Sequence, residues 1–361
     1  MSITGGSFGL SALSHVFNDN PKDVRGKIIG IYAFLIIANV LGWIISLILF
    51  GHSAFLLGLA ITAYTFGLRH AVDADHISAI DNVTRKLMQE NKRPVAVGFF
   101  FSLGHSTIVV ALSVVIAATA AAVKNFDNLK LIGGFIGTSV SAIFLYLIAI
   151  LNILVLWEIF QAFQKVKRGG EYNEQTLEGF LNQRGLMARF FRPLLRMTDR
   201  SWKMYPVGLL FGLGFDTATE VGILSISAVL ATKGLPLWTV LLFPLLFTAG
   251  MCLIDTTDGI LMLGAYGWAF VKPVRKLYYN LNITLVSVLV ALLVGTVEVF
   301  GIISSALNLN GSFWNFVGNL NDNFGVIGYY IIGIFVVSWA VSTIIYLSPL
   351  QKTPGKSLGD E

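Results

Sequence analysis

The sequence predicts an all-α integral membrane protein, built as one polytopic transmembrane domain over residues 1–361. Of its residues, 55% are hydrophobic and 12% are charged, and the mean hydropathy is +0.74. Apolar runs recur at close to the ~20 residues that a helix needs to cross the hydrocarbon core. These runs are continuously apolar, whereas the strands of a membrane β-barrel alternate apolar and polar side chains. Transmembrane helices are therefore expected along the whole chain.

Eight such runs predict eight transmembrane helices. Spans two, three, five and six each carry ionisable groups near the middle of an otherwise apolar run, and the other four spans are more uniformly apolar. In chain order the spans are expected at about 28–50, 55–82, 95–123, 132–160, 206–232, 238–268, 281–303 and 326–347.

The distribution of basic residues predicts the topology. With these spans, 21 of the 25 Lys and Arg residues fall on one side of the membrane, and only Lys124, Lys130 and Lys233 fall on the other. Because Lys and Arg concentrate in cytoplasmic loops, both termini are predicted to be cytoplasmic. The net charge of +5 is thereby explained by topology, and no nucleic-acid partner is expected.

The longest soluble segment is a basic loop at residues 164–205, predicted to be cytoplasmic. Apolar residues recur among arginines at 177–195, a pattern typical of an amphipathic helix that lies at the membrane surface. A calmodulin-like protein partner is the alternative reading of the same pattern. A second segment, 308–323, is rich in Asn, Gly and aromatic residues and is expected at the outer interface.

An internal repeat is suggested by similar short motifs. Residues 66–68 and 211–213 both read Phe-Gly-Leu, and in that register Asp75 falls opposite Glu220. Spans 2–4 would then be repeated by spans 5–7 with inverted direction, as in many secondary transporters. Chance similarity among glycine-rich helices is the alternative.

The polar stretch 66–85 lies inside the second span. On a regular helix His70, Asp73 and His76 share one stripe, while Asp75 points away from it. A break near Gly67 would let more of these side chains converge. Arg69 is expected to pair with a carboxylate, either Asp75 or Asp216.

Three other spans carry polar groups at a similar depth. Ionisable residues inside a membrane usually mark a binding site or a pathway, although the hydroxyl groups can simply satisfy helix backbone. Asp258 and Glu298 are expected only to hydrogen-bond between helices. The candidate pathway residues are His105, Ser106 and Thr107 in span three, Asp216, Thr219 and Glu220 in span five, and Asp255 in span six.

This combination of side chains indicates a site for a transition-metal ion. Imidazole with carboxylate suits Ni²⁺, Co²⁺, Zn²⁺ or Fe²⁺, whereas Mg²⁺ and Ca²⁺ prefer oxygen ligands alone. With Cys252 as the only cysteine, a cysteine-based metal site within one chain is excluded. The predicted ligands are His70, Asp73, Asp75, His76 and His105.

The segment His70-Ala-Val-Asp-Ala-Asp75-His76 resembles the signature of the nickel/cobalt transporter (NiCoT) family. Three further signatures of that family are matched, at residues 103–110, 213–220 and 250–255. The resemblance implies a permease of the bacterial cytoplasmic (inner) membrane that takes up Ni²⁺ or Co²⁺ with high affinity, without an obligatory protein partner or a cofactor. It also implies that His70, Asp75 and His76 are required for transport.

No nucleotide site is expected, because the only Gly-Lys-Ser, at 355–357, lacks the first glycine of a phosphate-binding loop. Uptake would then be driven by the membrane potential or by protons. Two alternatives stay open on the sequence alone. The chain could be an intramembrane metal-dependent hydrolase, or it could be a sensor or membrane subunit of a larger transport complex.

Overall fold

The computed structural model describes residues 16–118, 126–167, 198–214, 217–269 and 273–347. Within these ranges the chain forms α-helices and one short 3₁₀ turn at Ser201–Lys203, and it contains no β-strand. The helices are α1 (Val24–Phe50), α2 (Ala54–His70), α3 (Ala74–Gln89), α4 (Val97–Ala118), α5 (Phe126–Lys167), α6 (Met204–Phe211), α7 (Ala218–Thr232), α8 (Leu237–Val240), α9 (Leu242–Ala269), α10 (Pro273–Leu307), α11 (Ser312–Asp322) and α12 (Phe324–Leu347).

The described helices confirm the predicted membrane character. Two bent pairs qualify as spans if each is counted as one: α2 with α3, bent by 51°, and α11 with the first part of α12, bent by 76°. The predicted span at 206–232 is divided between α6 and α7, which have only 8 and 15 residues. The five helical segments that are long and apolar enough to cross a membrane singly are Val24–Phe50, Val97–Ala118, Gly134–Leu154, Leu237–Ala265 and Leu281–Leu307.

The second predicted span is interrupted by three non-helical residues between α2 and α3. Asp73 precedes α3 in an extended conformation, and Asp75 lies in the first turn of that helix. Aspartate before a helix and an acid in its first turn both stabilise a helix start. The predicted break near Gly67 is found slightly later in the same polar stretch, since Gly67 lies inside α2 and the break follows His70.

A similar break separates α6 from α7. Thr217 precedes α7 in an extended conformation, and its hydroxyl oxygen accepts a hydrogen bond from the backbone N–H of Glu220 at 3.4 Å. Thr-x-x-Glu is the capping-box pattern that begins many helices. Both broken spans therefore restart after a polar residue, and at Thr217 the side chain caps the second half.

At several glycines, the backbones of two crossing helices come into direct contact. A Cβ on Gly67 would lie 2.0 Å from the carbonyl oxygen of Phe247, so α2 and α9 meet backbone to backbone. A Cβ on Gly104 would lie 2.0 Å from the carbonyl oxygen of Tyr205, which shows the same close contact between α4 and α6. These crossings bring the two broken spans against α9 and α4.

We expect Gly208→Ala to lower the thermal stability of the purified protein, since its Cβ would lie 1.9 Å from the carbonyl oxygen of Phe101. Forced overpacking of this kind costs about 1–3 kcal/mol or more. Gly58→Ala is the matched control, because no atom lies within 4 Å of its Cβ position in α2. Alanine is also the better helix former by about 0.5–1 kcal/mol. A melting temperature that falls equally in both variants would contradict the close α4–α6 crossing.

The long helices α5 and α10 pack along each other at the side of the bundle. The hydroxyl of Ser141 on α5 donates to Oε1 of Glu298 on α10 at 2.7 Å. This contact confirms the interhelical hydrogen bond expected of Glu298. The equivalent bond expected of Asp258 is not formed among the described residues, where its buried Oδ2 has no hydrogen-bond partner.

The ends of the bundle are partly described. Most of the 164–205 loop, including the predicted amphipathic segment, lies outside the described residues, but Ser201 donates from both its N–H and its hydroxyl to Asp19. The 308–323 segment contains α11, where the rings of Phe313 and Trp314 pack against Phe300. Both segments therefore contact a neighbouring part of the chain.

Candidate metal centre

Three histidines meet where the α2–α3 break faces α4. His70 is the last residue of α2, His76 lies in the first turn of α3, and His105 lies in the middle of α4. Their relative exposures are 2%, 0% and 2%, and their ring centroids are 4.6–4.9 Å apart. One nitrogen of each ring lies within 4.8 Å of one nitrogen of the others. The break thus places two histidines from one predicted span beside a third from another.

The spacing of the ring nitrogens suits a shared metal ion. Nε2 of His70 lies 3.0 Å from Nε2 of His105. Two imidazole nitrogens bound to one ion at about 2.0–2.1 Å and at a right angle would lie about 3 Å apart. Oε1 of Glu220 adds a carboxylate oxygen, 2.9 Å from Nε2 of His105 and 3.8 Å from Nε2 of His70. These three atoms can therefore act as ligands on one side of an ion.

Carboxylates orient two of the histidines through the other ring nitrogen. Nδ1 of His70 lies 2.8 Å from Oδ2 of Asp73, and Nδ1 of His76 lies 3.2 Å from Oδ2 of Asp255. Because a carboxylate accepts hydrogen bonds, we assign the proton of each ring to Nδ1. The Nε2 lone pairs are then available to a metal, and Nε2 of His76 has no hydrogen-bond partner among the described residues. Such outer partners fix the tautomer and the direction of a ligating imidazole.

Hydroxyl groups hold the carboxylates in turn. Ser102 donates to Oδ2 of Asp255 at 2.6 Å, and Thr217 donates to Oε2 of Glu220 at 2.9 Å. The hydroxyl of Thr219 lies 3.2 Å from Nδ1 of His70. Acidic side chains therefore surround the three imidazoles, and their negative charge favours a divalent cation at this point.

Of the five predicted ligands, the three histidines lie together and the two aspartates lie outside their cluster. His70, His76 and His105 converge, whereas Asp73 lies behind His70 as a hydrogen-bond acceptor. Asp75 lies in the first turn of α3, where its buried Oδ1 has no hydrogen-bond partner among the described residues. Asp73 is thus placed to orient a ligand rather than to bind the ion itself.

The predicted pathway residues also fall into separate groups. Thr107 is exposed and hydrogen-bonds to Tyr205 at 3.0 Å, away from the histidines. Ser106 is buried, and its hydroxyl has no hydrogen-bond partner among the described residues. Glu220, Thr219 and Asp255, in contrast, all contact a histidine.

Of the two carboxylates expected to pair with Arg69, Asp75 lies among the described residues. No ion pair joins Arg69 to Asp75, both of which are described, so that alternative is wrong. Asp216, the other candidate, lies outside the described residues. The side chains of Arg69 and Asp73 both approach Gly325 at the start of α12, but they form no ion pair with each other.

Ser102 is a site residue that the sequence reasoning missed. It lies three residues before His105 on α4, so the two side chains share one face of the helix. That spacing was a usable signal, but serine is common in transmembrane helices as a partner for helix backbone. Ser102 does both, since its hydroxyl also lies 2.9 Å from the carbonyl oxygen of Gly98.

Comparison with known proteins identifies the group to which the chain is related. It is 54% identical over 323 residues to a high-affinity nickel transport protein of Cupriavidus necator, covering 89% of this chain and 92% of the relative. It is 47% identical over 327 residues to a nickel transporter of Mycobacterium tuberculosis, covering 87% of each chain. It is 38% identical over 337 residues to a cobalt transport protein of Rhodococcus rhodochrous, covering 90% of this chain and 94% of the relative.

No solved structure matches the chain significantly. The family model described as high-affinity nickel-transport protein matches residues 56–345, a range that contains the three histidines and every carboxylate that contacts them. The chain therefore belongs to the NicO family of high-affinity nickel-transport proteins.

Proposed function

We propose that this protein takes up Ni²⁺ with high affinity across the bacterial cytoplasmic membrane, and that Co²⁺ is a second substrate. The observation that carries the proposal is the convergence of three buried imidazoles and Glu220 in a chain of this transport family. The family consists of transport proteins rather than enzymes, so the hydrolase alternative is not retained.

The ligand chemistry supports a late first-row divalent ion. Imidazole and carboxylate together suit Ni²⁺ and Co²⁺, and affinity order alone would not separate these ions from Cu²⁺ or Zn²⁺. Selection must therefore come from the geometry that the orienting carboxylates impose. Relatives named for nickel and a relative named for cobalt both cover most of the chain, which supports a shared site with nickel preferred.

The architecture we propose has eight spans, with α6 and α7 together forming the fifth, and both termini in the cytoplasm. The broken pair α2–α3 packs on α9, and the broken pair α6–α7 packs on α4. This reciprocal packing supports an inverted repeat of spans 2–4 and 5–7, in which each half supplies one broken helix to a central site. His70 and His76 come from one half, and Glu220 comes from the other.

Transport in this proposal is a secondary process that needs neither a nucleotide nor a protein partner. An inside-negative potential of 100 mV favours entry of a divalent cation by about 4.6 kcal/mol, twice the value for one charge. At about 1.4 kcal/mol for each factor of ten, this corresponds to roughly 2,000-fold accumulation. The potential alone is therefore sufficient, although proton coupling is compatible with the same site.

The test is uptake of radiolabelled Ni²⁺ at nanomolar concentration into proteoliposomes that contain only this protein. We expect uptake to rise with an inside-negative potassium diffusion potential, and to be lost in His70→Ala and His76→Ala, because each variant removes an imidazole from the centre. Excess Co²⁺ should compete more strongly than Mg²⁺. Liposomes without protein are the control for leakage.

Two results would contradict the proposal. If folded wild-type protein gives no uptake above empty liposomes, the chain does not transport nickel by itself, and a larger complex would be indicated. If both histidine variants transport at the wild-type rate, the metal centre is not on the transport path.

A further inference from the structure

Each helix break is covered by a glycine from a neighbouring helix. A Cβ on Gly328 of α12 would lie 1.6 Å from the carbonyl oxygen of Val72, inside the α2–α3 break. A Cβ on Gly137 of α5 would lie 2.0 Å from the backbone nitrogen of Gly214, beside the α6–α7 break. Real Cβ atoms essentially never approach this closely, so any other residue at either position forces the backbone apart.

A second glycine of α12 lies one turn before Gly328. A Cβ on Gly325 would lie 3.1 Å from Oδ1 of Asp73 and 3.4 Å from Nη2 of Arg69. Asp73 uses its other oxygen to accept the hydrogen bond from Nδ1 of His70. The start of α12 therefore contacts the side chain that orients a histidine of the metal centre.

Close contact is not a general property of glycines on α12. No atom lies within 4 Å of the Cβ position of Gly333, five residues beyond Gly328. The two constrained glycines are those that face residues 69–73, which include His70 and the carboxylate behind it.

We propose that Gly325 and Gly328 are positioning residues of the metal centre, through which α12 holds His70 and the orienting carboxylate of Asp73 in place. This inference rests on the proposed function, since it assigns a role in binding the transported ion. Val72 lies between His70 and Asp73 in the chain, so displacing its carbonyl group moves both residues.

The experiment compares alanine variants of the full-length protein in lipid nanodiscs. The binding constant for Ni²⁺ is measured by equilibrium dialysis, the melting temperature is measured on the same samples, and KM is measured in proteoliposomes. Loss of an orienting contact typically costs about 10–100-fold in metal affinity. We expect that range for Gly328→Ala and a smaller loss for Gly325→Ala, whose neighbours are the movable ends of side chains. Gly333→Ala should bind and transport as the wild type does.

The outcomes separate this inference from the proposed function. If the wild type neither binds nor transports Ni²⁺, the proposed function fails. If the wild type does both and Gly325→Ala has the same binding constant and KM, the positioning role is wrong, even if Gly328→Ala does not fold. A variant that melts earlier but binds Ni²⁺ normally also overturns it, because α12 then contributes only to packing.

Discussion

Replacing His105 with alanine is expected to lower nickel uptake by more than about 100-fold, since loss of a ligand should exceed the 10–100-fold cost of losing an orienting contact. Nε2 of this residue lies 3.0 Å from Nε2 of His70 and 2.9 Å from Oε1 of Glu220. It therefore links the histidine side of the centre to the carboxylate from α7. The measurement is the initial rate of Ni²⁺ uptake in proteoliposomes together with the binding constant in detergent.

Thr107→Ala is the matched control for this prediction. Thr107 lies two residues beyond His105 on α4, but its hydroxyl group hydrogen-bonds to Leu103 and Tyr205 at an exposed position. We expect wild-type uptake within about a factor of two, because an exposed hydroxyl contact is worth only about 1 kcal/mol or less. If His105→Ala kept its uptake while Thr107→Ala lost it, the assigned centre would be wrong.

Asp255→Leu is expected to weaken Ni²⁺ binding by about 10–100-fold, because it removes the group that orients His76. Oδ2 of Asp255 accepts hydrogen bonds from Nδ1 of His76 and from Ser102. Asp255→Asn keeps an oxygen that can accept from Nδ1, so it should recover part of the affinity. The measurement is the binding constant for Ni²⁺ in the three proteins.

Glu298→Gln is the control, since Glu298 is also a buried carboxylate but accepts from Ser141 rather than from a histidine. Its Ni²⁺ affinity should stay at the wild-type value, whatever its effect on stability. Equal losses of affinity in Asp255→Leu and Glu298→Gln would mean that buried charge in general, and not the orientation of His76, controls binding.

Because intramembrane ionisable residues are costly, the amino-acid pattern predicts His70, Asp73, Asp75, His76 and His105 as ligands and Glu220 only as a pathway residue. The structure brings the three histidines and Glu220 together. Which of them contacts the ion depends on side-chain direction, and this in turn depends on where the helix breaks. A regular helix puts Asp73 in line with His70 and His76, whereas the break turns Asp73 behind His70.

The breaks themselves were only partly predictable. Gly67 suggests a flexible point in the sequence, but in the structure its lack of a side chain permits the close contact with Phe247. The usable signals were the polar residues at the helix starts, namely Asp73 before α3 and the capping pair Thr217 and Glu220 before α7. Polar residues in an apolar span are also expected at a binding site. They therefore did not by themselves predict the start of a helix.

The burial of the three imidazoles determines how the protein responds to metal supply. Since the rings are almost inaccessible to solvent, an ion can enter or leave only when helix segments move. Collective helix motions take about microseconds to milliseconds, so turnover at saturation is set by the protein and not by arrival of the ion. Uptake through such a centre is therefore expected to saturate as the nickel concentration rises, at a maximum rate set by helix motion.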